Sequence, residues 1–172
     1  MANKLEVSFN SPQCGWMSIG FRDDEGEFHT TTAHAPHERA LSELLWILTD
    51  LLDKNSEQKE YVLHWNRNPE EFDFGFLSES GIVRLEIYQF PNEVRAAGER
   101  EIVFAHTGKV LEVCKAFYET FMQLYNDRET DEFEQNWRQA FPFEEFEKFK
   151  KKIEQESLSS EQFYTNLGEK IN

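Results

Sequence analysis

The chain has 172 residues, is 39% hydrophobic and 15% aromatic with 16 Phe, and carries a formal charge of −15, which sets its isoelectric point near 4.7. A net charge of that sign repels phosphate backbones and anionic bilayers, so nucleic-acid and membrane-surface partners are excluded, leaving a basic protein partner or plain solubility. One domain of this length hides roughly 70% of its unfolded surface, and the aromatic content can fill its core, which excludes extended disorder.

Met1 to Leu5 lacks the apolar stretch of a secretory leader, and no run reaches the ~20 apolar residues of a membrane span. A cytoplasmic location is therefore expected. Cys14 and Cys114 fit no C-x-x-C pattern, so two reduced thiols are expected, with a Cys14–Cys114 disulfide left open.

Leu5, Val7 and Phe9 alternate with polar residues, the period of a half-buried strand that Ser11-Pro12 ends. Trp16 to Arg22 has Met17, Ile19 and Phe21 on one face, and the turn Asp23-Asp24-Glu25-Gly26 leads into a third strand with Phe28, Thr30 and Thr32. The clearest signal follows. Between Ala35 and Asp53, Leu41, Leu44, Leu45, Leu48, Leu51 and Leu52 line one face of a 3.6-residue period, with Trp46 and Ile47 widening it and Pro36 in the first turn. Strands are predicted over Glu60 to Asn66, Glu71 to Ser78, Ile82 to Phe90 and Glu101 to His106, joined by turns at Asn66-Arg67-Asn68-Pro69 and Ser78-Glu79-Ser80-Gly81. Thr107 suits the cap of a second long helix in which Val110, Val113, Cys114, Phe117, Phe121, Leu124 and Tyr125 recur at helical spacing. A short helical piece with Phe133 and Trp137 comes next, then a helix from Phe143 to Gln155 and a final segment, with Phe163 and Leu167, capped by Ser159.

This order, β-β-β-α-β-β-β-β-α, predicts an α+β fold: a mostly antiparallel sheet of about six to seven strands, with two long helices packed on one face and extra C-terminal helices. We read residues 1–156 as a single domain and 157–172 as a partly ordered tail.

Chemistry is sparse. His29, His34 and His37 sit at a strand end and a helix start, where three imidazoles could converge on one metal, although no acid or Cys completes a known ligand pattern. Cys114 lies eight residues from His106 on a buried stripe, which argues against a nucleophile pair. Glu71 and Asp73 flank the Phe72 face as solvated strand residues do. Phosphate loops, serine elbows and Walker patterns are absent, and no cofactor is expected. The remaining candidate is the strand face with Ile82, Arg84, Glu86, Tyr88 and Phe90, since aromatic residues beside charges are the usual makeup of a partner-binding patch. It faces outward if the helices cover the other side of the sheet, and inward if the C-terminal helices fold back over it.

Trp65 through Phe72, Leu85 through Phe90, the helix from Leu111 to Tyr125, and Trp137-Arg138-Gln139-Ala140-Phe141-Pro142-Phe143 resemble a family of small bacterial proteins of unknown function, over roughly residues 40 to 150. That family has no assigned chemistry, so the resemblance implies no activity. Small acidic α+β proteins of this kind look like immunity or adaptor proteins, an analogy of class alone. The expectation is a non-catalytic protein-binding module with a basic protein partner, using Arg84, Glu86, Tyr88 and Phe90. The alternative is a metal-binding or hydrolase-like enzyme using His29, His34 and His37. An exposed edge strand or the mixed face also supports a symmetric homodimer.

Overall fold

The computed structural model describes residues 3–169, with side chains to residue 162. Within them seven antiparallel strands follow the expected order, but they form two sheets rather than one. β1 (Glu6–Phe9), β2 (Trp16–Arg22) and β3 (Glu27–Ala33) make a three-stranded meander, and β4 (Glu60–Asn66), β5 (Glu71–Glu79), β6 (Ile82–Phe90) and β7 (Glu101–Lys109) a four-stranded one. Helix α1 (Ala40–Leu51) connects them. Where the sheets meet, the Trp65 indole N–H donates to the Ala33 carbonyl at 3.1 Å, a side-chain link in place of a ladder.

Both sheets and helix α2 (Val110–Asp127) share one aromatic core. Phe9 and Phe21 of the small sheet meet Trp65 and Phe74 of the large one with ring centroids 6.0 and 5.6 Å apart, and both also touch Phe117 of α2. Such edge-on pairs add to the burial of large rings. The Thr120 hydroxyl accepts the Phe9 N–H at 2.6 Å and lies 3.3 Å from the Phe9 carbonyl, so α2 satisfies the outer edge of β1.

The leucine stripe of α1 is buried as the spacing predicts, together with Ile47. Trp46 is the exception: it is half exposed and rests edge-on against Tyr61. Tyr61 in turn donates to Asp50 at 2.6 Å, and burial plus that bond push its hydroxyl up to about 12.

Three helix boundaries differ from expectation. α1 begins at Ala40, not at Ala35, because Ala40 N–H is held by the His37 carbonyl in a preceding turn. Thr107 is not a helix cap: β7 stays paired with β6 as far as Lys109, and the ladder outlasts the helix signal. α3 (Phe133–Trp137) is followed by α4 (Phe143–Glu169), one continuous 27-residue helix in which Ser159 bonds back to the Gln155 carbonyl rather than capping a new segment. Residues 170–172 of the expected tail, and the side chains of Phe163 and Leu167, lie outside the described residues. α4 packs on α1 and α2 through Phe146, Phe149 and Ile153. No helix among the described residues is long and apolar enough to cross a membrane.

Candidate functional site

Because side chains alternate along a strand, the register of β4 to β7 sets up rungs on the face turned away from the core. From one end these read Asn66, Glu71, Phe90; then His64, Asp73, Tyr88, Ile102; then Val62, Gly75, Glu86, Ala105; then Glu60, Leu77, Arg84, Thr107. A register shift at Ile87/Tyr88 is what sets Ile102, and not its neighbour Val103, opposite Tyr88. Among the described residues no helix covers this face: Val62, Leu77, Ile82 and Ile102 are 50%, 50%, 41% and 54% exposed. A groove of about 290 Å³ runs past Val62, Gly75, Leu77 and Tyr88.

The polar groups of this face are already paired with one another. Arg84 contacts Glu86 at 2.5 Å, Tyr88 donates to Glu86 at 2.5 Å, and the Arg100 guanidinium lies 4.1 Å from the Tyr88 ring centre. The bond to Glu86 raises the Tyr88 hydroxyl above its ordinary value of 10.0, with burial adding to it. Of the four residues expected to bind a partner, Arg84, Glu86 and Tyr88 stand together on the open face. Phe90 differs: it is buried, and the Arg95 guanidinium from the β6–β7 loop lies 5.0 Å from its ring centre.

Arg95 is also the centre of a network at this end of the sheet. It donates to Glu71 at 2.9 and 3.2 Å, to Asp73, and to the Phe72 carbonyl at 3.3 Å. Burial works against its charge, but the bonds to Asp73 and Glu71 outweigh that and hold it more firmly protonated than a free arginine. His37 bonds Glu71 at 3.0 Å and His64 bonds Asp73 at 2.6 Å, with the two imidazole centres 6.2 Å apart. An ionised carboxylate only accepts, so His37 carries its proton on Nε2 and His64 on Nδ1. Asn66 Oδ1, on the rung with Glu71, is buried without a hydrogen-bond partner.

The three histidines proposed from sequence keep separate partners. His29 is exposed and 3.7 Å from Glu27, His34 lies 3.4 Å from the Gly15 carbonyl against Trp137, and His37 joins Glu71. Among the described residues no group of three or more His, Cys, Asp or Glu is arranged to hold a metal. Cys14 is exposed and Cys114 buried, both free; burial pushes the Cys114 thiol well up, which removes its nucleophilic form.

Sequence reasoning missed His64, Asn66 and Arg95, and took Glu71 and Asp73 for solvated residues. The hairpin signal at Asn66 to Pro69 could have paired all of these but Arg95, since it sets His64 opposite Asp73 and Asn66 opposite Glu71. Arg95 sits in an irregular loop at φ +54, and no periodicity announces it. A second pair lies on the inner face: His106 Nδ1 donates to Asp23 at 2.8 Å, both side chains no more than 2% exposed. Burial works to raise the Asp23 carboxyl, but His106, the Glu25 and Gly26 backbone N–H groups and Asn3 together hold it below 3.8.

Comparison of the chain with known protein families, curated proteins and solved structures finds no match.

Proposed function

We propose that this protein is a non-catalytic binding module, immunity- or adaptor-like in kind, that docks a basic partner protein on the outer face of the four-stranded sheet. The observation that carries this reading is the group of four large aliphatic side chains left about half exposed on a face whose central charges are already paired. Exposed apolar groups rimmed by polar ones mark interaction sites, and charges fixed in advance cost less ordering on association. Arg84 and Arg95 are engaged with carboxylates and Arg100 with the Tyr88 ring, whereas among the described residues the carboxylates of Glu60, Glu79 and Glu101 at the rim have no partner and outnumber the unpaired Lys109 opposite Ile82, so the free charge is negative. In a chain of charge −15 this favours a basic protein.

Capture from a lysate of the native host by the intact chain, run beside Leu77→Asp/Ile102→Asp, tests the proposal. We expect a basic protein that is retained at low salt, released at high salt and lost with the double variant. Retention by both chains alike, or none at low salt, contradicts it.

A second reading, a metal-binding or hydrolase-like protein, is favoured by one observation: two carboxylate-backed imidazoles stand 6.2 Å apart beside the unpartnered Asn66 oxygen. This pairing of His37 with His64 replaces His29 and His34 as its basis. Less than about half an equivalent of any transition metal in untagged protein, together with ester turnover unchanged by His64→Gln, discards it.

A further inference from the structure

A cleft of about 600 Å³ lies at the other end of the four-stranded sheet from Arg95, larger than the groove on the open face. Its walls are the C-terminal end of α1, the β5–β6 turn, the junction of β7 with α2, and the second half of α4. Leu51, Leu52, Val110 and Leu111 give it an apolar floor. That size and lining suit a small molecule, whose sites run from about 300 to 1,000 Å³.

Four of the chain's ten lysines open onto this cleft, Lys54, Lys59, Lys109 and Lys115. Carboxylates line it as well, but each is engaged: Glu156 with Lys54 at 2.7 Å, Glu112 with Lys115 at 3.6 Å, Asp53 with Lys152 at 3.6 Å, and Glu161 with a partner of its own. Lys59 donates only to the Ser56 carbonyl, at 2.7 Å, and Lys109 has no side-chain partner among the described residues. Two ammonium groups thus lack a counter-charge beside an apolar floor, in a protein that is otherwise strongly acidic. Helix α2 also begins here without a side-chain cap, so its dipole adds to the same positive potential.

We propose that this cleft binds a small organic anion, its carboxylate or phosphate-ester head held by Lys59 and Lys109 and its apolar body lying on Leu51, Leu52, Val110 and Leu111. The cleft is a separate cavity from the groove on the open face and borders that face at Lys109, which stands opposite Ile82.

Displacement of the fluorescent anion 8-anilinonaphthalene-1-sulfonate from the intact chain, by octanoate, octyl phosphate, inorganic phosphate or octanol, tests this. One of the two octyl anions displaces the dye at least about tenfold better than octanol or phosphate alone, and the stronger one identifies the head group. Lys59→Gln/Lys109→Gln weakens that anion at least about tenfold, while Val62→Asp on the open face leaves it unchanged. If the double variant melts early, Lys109→Gln alone carries the reading, because among the described residues the Lys109 side chain has no bond to lose. Octanol matching the octyl anions, absence of saturable displacement, full affinity in the lysine variants, or loss of displacement in Val62→Asp overturns the proposal.

Discussion

On the inner face of β4 to β7, Leu63, Trp65, Phe72, Phe74, Leu85 and Ile87 are fully buried, and the histidine on that face, His106, is sealed against Asp23. On the outer face of the same strands, four aliphatic residues are about half exposed, and His64 remains open to solvent on Asp73. The backbone ladder is common to both faces, so the difference is made by what packs on each. The inner face meets the small sheet and α2, and its ion pair is enclosed; the outer face meets the β6–β7 loop, whose Arg95 ties two carboxylates at one end, and His37 from the turn before α1, which bonds one of them. In the proposed function, stability and recognition are thereby separated onto opposite sides of one sheet.

Truncations should separate the faces by size. Phe74→Ala should cost about 3 to 5 kcal/mol, and Leu45→Ala or Leu48→Ala about 2 to 5, the range for buried rings and leucines, read as a shift of the urea midpoint. A loss below about 1 kcal/mol at both leucines would reopen the α1 stripe as a partner surface. His106→Ala should cost about 3 kcal/mol, at the low end for a broken buried pair, because Asp23 keeps Asn3 and two backbone donors.

The same pair gives a pH signature. Since the folded state holds the Asp23 carboxyl below 3.8, the unfolded chain binds more protons there. The stability from this group is therefore complete above about pH 4 and is lost as pH falls through the folded value. Asp23→Asn should flatten that acid limb of the stability profile. An unchanged limb would show that other carboxylates set it.

Arg95→Ala should cost less, about 1 to 3 kcal/mol, because it leaves the buried Glu71 with His37 as its one remaining side-chain partner. Leu77→Asp should change stability by no more than about 0.5 kcal/mol while abolishing partner capture. A large destabilisation there would mean that the outer face is core.

The inner face was legible because alternation of Tyr61, Leu63 and Trp65, of Phe72, Phe74 and Phe76, and of Val83, Leu85 and Ile87 is a local property of the chain, and all nine are buried. The split into two sheets was not legible. It depends on how β3 meets β4 across α1, a contact between residues some thirty positions apart that no period encodes. The same holds for the sites: Arg84, Glu86 and Tyr88 follow from one strand, whereas Arg95 reaches Glu71 and His106 reaches Asp23 from far along the chain. Pairings of that kind exist only once the fold has formed.

In the proposed function the partner lands on the outer sheet face and not on the other exposed apolar groups, such as Trp46 of α1. The direct measurement is photocrosslinking of the captured partner from a benzophenone amino acid placed in turn at Leu77 and at Trp46. A crosslink is expected from position 77 and none from position 46. A crosslink from 46 alone would contradict it.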